Sequence, residues 1–121
     1  MTMDKIEKGQ SGEIEVEVTA DMSVNRTGIK GAEVLSTPSL LMLMEKCCIE
    51  ASDALLPKTH TTVGYAVDGM RHLAPTSVGS KVTVKTMLTE VDGNKLTYTL
   101  EAFEGDKSIG IATHRRAVIA K

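Results

Sequence analysis

Ser36-Thr37-Pro38-Ser39-Leu40-Leu41-Met42-Leu43-Met44-Glu45-Lys46-Cys47-Cys48-Ile49-Glu50-Ala51-Ser52-Asp53-Ala54-Leu55 is the stretch on which the fold turns. A hydroxyl residue followed by proline at the first helical position is a helix start, with Thr37 as the expected N-cap. From residue 39 to about 55 the chain has good helix formers and no internal Gly or Pro, which predicts one long helix. Upstream, residues 13–18 alternate strictly and put Ile14, Val16 and Val18 on one face, the pattern of a half-buried strand. Residues 21–35 are mixed, carry Gly28 and Gly31, and read as an irregular connection. Beyond Pro57 the pattern turns to strands over residues 61–74, 80–91, 95–103 and 108–120. Asp92-Gly93-Asn94 and Glu104-Gly105-Asp106 between them carry hairpin chemistry. Turns this short impose antiparallel pairing. The expected architecture is therefore α+β, a single domain over residues 1–121 with one long central helix and a curled antiparallel sheet of about five strands. One helix covers only one sheet face, and the last strands leave a second face partly apolar. A homodimer is expected.

Composition narrows the function classes. The 121 residues hold 14 Lys and Arg against 16 Asp and Glu, a net charge of −2, so no electrostatic footprint for a phosphate backbone exists. With no Trp, one Phe, two Tyr and seven Met, the core is aliphatic and offers no aromatic platform for bases. Nucleic acid is not an expected partner. Leu40 to Met44 is the longest unbroken apolar run, far short of the roughly 20 residues a membrane span needs. The N-terminal residues lack an apolar stretch after a basic start, so no signal peptide is read. Cys47 and Cys48 are adjacent and read as two small buried hydrophobes in a reducing compartment, and the chain is expected to be cytoplasmic.

Residues three and four positions away decide how a helical acid is exposed. Glu50 has polar neighbours and pairs with Lys46 on a solvated face, whereas Glu45 has Leu41, Met42, Cys48 and Ile49 around it. An ionised carboxylate among four apolar neighbours costs several kcal/mol unless it is paired or opens onto a polar cavity. Either a structural Arg or His neutralises Glu45, or it lines a pocket and does chemistry. Spacing leaves both open. His72, in the strand that Pro75 ends, and Thr37 are the other candidates. Eight residues of helix separate Thr37 from Glu45, about 12 Å along the axis, so they flank a substrate rather than bond each other. His60 reads as solvated, and the pattern leaves His114 open to either face. No HxH, HxxxH or HExxH spacing appears, and GxSxG, GxxxxGK[ST] and GxGxxG are missing, so no metal and no cofactor are expected.

The segment from Leu35 to Glu45 resembles the central-helix motif of hot-dog-fold thioesterases of the fluoroacetyl-coenzyme A thioesterase-like branch. Arg71-His72-Leu73-Ala74-Pro75-Thr76-Ser77-Val78-Gly79 is similar to that branch's histidine-strand motif. Glu90-Val91-Asp92-Gly93-Asn94-Lys95-Leu96 and Gly110-Ile111-Ala112-Thr113-His114-Arg115-Arg116-Ala117-Val118 match its last two hairpin segments in order and spacing. The resemblance implies a hot-dog fold whose two protomers join sheets edge to edge, with the option of a dimer of dimers. It implies hydrolysis of a short or medium acyl-CoA thioester at the dimer interface by Thr37, Glu45 and His72. In that chemistry Glu45 attacks the carbonyl or deprotonates a water, and His72 orients a partner or protonates the departing thiolate. Helix-start amides or the Gly64 amide would hold the oxyanion, and Arg116 sits where the family carries an arginine near the pocket. Two departures stand out. The stretch from Gly64 to His72 runs one residue longer than the family pattern, with Asp68-Gly69 as a candidate bulge to absorb it. The loop Gly28-Ile29-Lys30-Gly31-Ala32 carries no aromatic, so fluoroacetyl specificity is not expected.

Two other readings compete. Hot-dog hydratases carry an Asp and a His with Asn-Pro between them, which Asp68 and His72 lack. A non-catalytic acyl-CoA or CoA binder would use the same groove without turnover.

Overall fold

The computed structural model describes residues 5–24 and 32–121. Five strands, β1 (Ser11–Glu17), β2 (His60–His72), β3 (Lys81–Asp92), β4 (Lys95–Glu104) and β5 (Lys107–Ala120), surround one helix, α1 (Thr37–Asp53). They form a single antiparallel sheet in the order β1-β3-β4-β5-β2. β1 and β2 are its two edges, so the sheet curls around the helix without closing. The expected α+β architecture and strand count hold, with strand ends shifted by two residues at most.

Alternation along β3 and β4 sends Val82, Val84 and Leu88 and then Leu96, Tyr98 and Leu100 inward. They meet Leu40, Leu43, Met44, Cys47 and Cys48 of α1, which recur at helical spacing and are buried. Both thiols lie in this core, and desolvation pushes the Cys47 thiol up to about 11 and Cys48 to about 12. They are inert packing groups, as read from the sequence.

The helix start differs from expectation by one residue. Ser36, in extended conformation, is the N-cap, and its hydroxyl accepts from the Ser39 amide at 3.2 Å. Thr37 is instead the first helical residue, so its hydroxyl is not committed to the helix backbone. The connection before α1 holds a 3₁₀ turn over Ala20–Met22 and is tied across its base by Ser23 bridging Leu35 and by Val34 bridging Ser77. Gly28 to Gly31 of the aromatic-free loop lie outside the described residues.

β2 is the unusual strand. Its register against β5 slips twice, between Gly64 and Ala66 and again between Asp68 and Arg71. Gly69 in the second slip has φ +60°, a left-handed conformation that a side chain resists, so the anticipated Asp68-Gly69 bulge is present. The strand also leaves Val63, Tyr65 and Val67 exposed along a free edge.

Candidate active site

The structure sorts the five candidates into two clusters along α1. The first stands at the helix start. Thr37 Oγ1 lies 2.8 Å from His72 Nδ1, a contact between residues 35 positions apart. The bulge at Gly69 is what turns His72 inward here, where it pairs in register with buried Gly110. Burial holds the His72 ring below the ordinary histidine value of 6.5, and the Ala74 backbone opposes this in part. A neutral ring carrying its proton on Nε2 accepts from the Thr37 hydroxyl and keeps an N–H to give; among the described residues Nε2 has no hydrogen-bond partner. Val24, Val34, Leu35 and Ala74 complete a cavity of about 330 Å³ over the pair.

A pH dependence follows from that burial. The unfolded chain binds the His72 proton more readily than the folded one, so stability rises with pH through this group and is lost as pH falls below about 6.5. An NMR titration is expected to place the His72 midpoint below 6.5, and Thr37→Val to move it; a midpoint at or above 6.5 would contradict the desolvated environment.

The second cluster lies two turns further along α1. The Glu45 side chain is 39% exposed and lies 3.9 Å from His114 Nε2, beyond hydrogen-bond reach. His114, which the sequence left facing either way, points inward and is only 2% exposed. Its Nδ1 lies 2.9 Å from the Ala66 carbonyl, and its Nε2 lies 3.0 Å from Arg116 Nη1. Arg116 is 3% exposed and donates further bonds from Nε to Thr62 Oγ1 at 2.7 Å and from Nη2 to the Thr62 carbonyl at 2.8 Å. Among the described residues no carboxylate lies within 4.0 Å of the guanidinium. Desolvation lowers its proton affinity, while nearby Cys48 and Glu45 raise it. Thr62 continues inward to Ser52 on α1 at 3.1 Å, so the cluster also locks the helix to β2.

Gly64 roofs this cluster. A Cβ there would fall 2.8 Å from His114 Cε1 and 3.0 Å from Arg116 Nη1, closer than such atoms tolerate. The glycine is what allows β2 to lie flat on the ring and the guanidinium. Arg116 is thus placed beneath the site rather than on its surface. Sequence reasoning passed over Thr62 and ranked His114 low. Stepping back by two from Val118 through Arg116 and His114 to Ala112 gives the buried face of β5 and is the signal that finds them.

Within one chain, then, Thr37 and His72 meet, and Glu45, Gly64 and Arg116 gather around His114, but the two clusters stay apart. A larger groove of about 570 Å³ crosses β1, β3 and β4 and holds none of these residues. No group of acidic, Cys and His residues able to hold a metal is present among the described residues. Likewise, among the described residues no helix is long and apolar enough to cross a membrane.

Known proteins share this fold. A hot-dog-like protein from Thermanaerovibrio acidaminovorans superposes with a TM-score of 0.85 at 24% identity, over 98% of this chain and 87% of that one. A mutant of the fluoroacetyl-CoA-specific thioesterase FlK, in complex with fluoroacetate and CoA, gives 0.84 at 29% identity over 95% and 96% of the two chains. The fold is the hot dog. The fluoroacetyl-CoA thioesterase of Streptantibioticus cattleyicolor is 37% identical over 87 residues, which span 72% of this chain and 62% of that enzyme. The match to the fluoroacetyl-CoA-specific thioesterase family runs over residues 18–121 and so takes in both clusters. That match covers most of the chain, including the long helix and four of the five strands, and the chain belongs to this family.

Proposed function

We propose that this protein hydrolyses a short or medium acyl-CoA thioester to the free acid and CoA, at a site shared between two copies of the chain. The observation that carries the reading is Glu45: a half-exposed carboxylate whose helical neighbours are apolar and which, among the described residues, has no hydrogen bond and only a ring nitrogen at 3.9 Å. A carboxylate with no structural partner there is free to meet a substrate or a water. It attacks the thioester carbonyl to give a mixed anhydride that water then opens, or it takes the proton of a water that attacks directly. In both routes the sulfur leaves as thiolate and takes a proton, for which the His72 N–H is the available donor. Thr37 orients that ring. Arg116 acts from below by its charge, and the Gly64 amide faces the developing oxyanion.

The geometry of β2 supports the dimer. Thr37 and Glu45 are eight residues apart on α1, and Gly64 and His72 are eight apart on β2. Antiparallel pairing of the free β2 edge with its copy about Asp68 lays His72 of one protomer against the glycine roof of the other. The Thr37–His72 pair of one copy then faces the carboxylate cluster of its partner, and Val63, Tyr65 and Val67 lose their exposure. Fluoroacetyl selectivity is not part of the proposal, because residues 28–32 supply no aromatic.

Release of free CoA thiol across acyl chains from acetyl to palmitoyl, with mass measured in solution, tests both halves. Turnover on at least one chain by a dimer is expected. A folded dimer silent on every chain would leave only acyl-CoA binding, which ligand-induced stabilisation reads directly.

A further inference from the structure

We propose that His114 is a positioning residue: its unprotonated Nε2 holds the Arg116 guanidinium and keeps it from closing an ion pair with Glu45. The inference rests on the reading of Glu45 as the reacting carboxylate.

Donors and acceptors fix the tautomer of the His114 ring. The Ala66 carbonyl only accepts, so His114 Nδ1 must carry the proton of that 2.9 Å contact. A guanidinium only donates, so Nε2 at 3.0 Å from Arg116 Nη1 must be the lone-pair nitrogen. Both contacts hold in a single form of the ring, the neutral Nδ1–H tautomer. In that form Nε2 has no proton to offer Glu45, although it lies only 3.9 Å from the carboxylate. Arg116 meanwhile has one donor on His114 and two on Thr62, and only the absence of a side chain at Gly64 leaves room for the guanidinium there. The positive charge is close enough to be felt by Glu45 and is tied so that it makes no bond to it.

The distinction matters for chemistry. A bidentate arginine pair satisfies a carboxylate's lone pairs and makes it a poor base and a poor nucleophile. A guanidinium held back stabilises negative charge arriving from substrate without neutralising the attacking group beforehand. Asp53, the other acid whose charge reaches the guanidinium, accepts from the Thr61 hydroxyl at 2.9 Å and makes no ion pair with Arg116 among the described residues. Asp68 is paired with Arg115 at 3.1 Å on the opposite sheet face, and Tyr65 stacks under Lys95. Tyr98, across from His114 in register, is pushed up to about 12 by burial, and Cys48 to about 12.

The test compares His114→Leu, which removes the acceptor, with His114→Gln, which returns an acceptor near the Nε2 position. A carbon-13 titration of the Glu45 carboxyl is expected to move to lower pH by about one unit or more in the Leu variant, the size of shift an adjacent arginine gives. The Gln variant recovers most of that shift. With an active substrate, the acid limb of the rate profile moves the same way, and kcat falls about tenfold or more with KM nearly unchanged. In the wild-type protein, nitrogen-15 shifts at neutral pH are expected to show His114 protonated at Nδ1 alone. A proton on Nε2, or a Glu45 midpoint that ignores His114→Leu, overturns the proposal, and the wild-type measurement stands even if the Leu variant fails to fold. The carboxyl titration needs no substrate, so a protein that hydrolysed nothing would remove the proposed function and leave this test intact.

Discussion

Glu45→Gln is expected to lower kcat by about 10³-fold or more while the protein stays folded and assembled. That factor corresponds to about 4 kcal/mol of barrier. Glutamine keeps the size and the hydrogen-bonding shape of the side chain but can neither attack a carbonyl nor take a proton from water. The fold has little to lose, because Glu45 makes no hydrogen bond among the described residues and lies 3.9 Å from His114 Nε2. Its removal also relieves a charge set among Leu41, Met42, Cys48 and Ile49. The thermal midpoint is therefore expected to hold or rise slightly. A loss of turnover that came with unfolding would point to a structural acid instead. Full turnover in folded Glu45→Gln would end its assignment as the reacting group.

Gly64→Val tests the other half of the arrangement, and its expected effect is on stability as well as rate. The first added carbon already falls 2.8 Å from His114 Cε1 and 3.0 Å from Arg116 Nη1, and valine adds two more. Overpacking alone costs about 1–3 kcal/mol, and loosening a buried guanidinium from its acceptors adds to it. A total near 3 kcal/mol lowers the melting temperature by roughly 10 °C in a domain of this size. Gly64→Ala should show the same direction at a fraction of the size, since a single Cβ can be met by a small shift of the ring. Wild-type stability in Gly64→Val would mean that β2 does not bear on the His114–Arg116 pair.

The helix and the strand order were legible because both rest on local periodicity: an unbroken run of helix formers after Pro38, alternation along residues 13–18, and glycine turns at 93 and 105. Glu45 was legible for the same reason, since its four helical neighbours are written in the sequence. What escaped was decided at long range. Ser36 and Thr37 both suit a cap, and only the reach of His72 from the far end of β2 settles which hydroxyl is free. Thr113-His114-Arg115-Arg116 shows no contrast between apolar and polar, so its facing could be counted only from the buried Val118 beyond it. That two clusters rather than one triad would form in a single chain follows from the 12 Å of helix between Thr37 and Glu45. The sequence supplied that distance; how the second β2 edge completes it is a matter of assembly.

The two slips in β2 have an arithmetic of their own. Each inserts one residue against β5 and so reverses which side of the sheet the following residues face. Two reversals cancel, and Gly64 and His72 end up on the same side with eight steps between them. Evenness, not distance, is what this segment preserves. A one-residue deletion between them that left both slips in place would turn the histidine to solvent. Removing a residue together with one slip would instead return a strand of opposite count and equal facing. Chain length near this site is therefore free to change in units that a simple tally of spacing would score as damage.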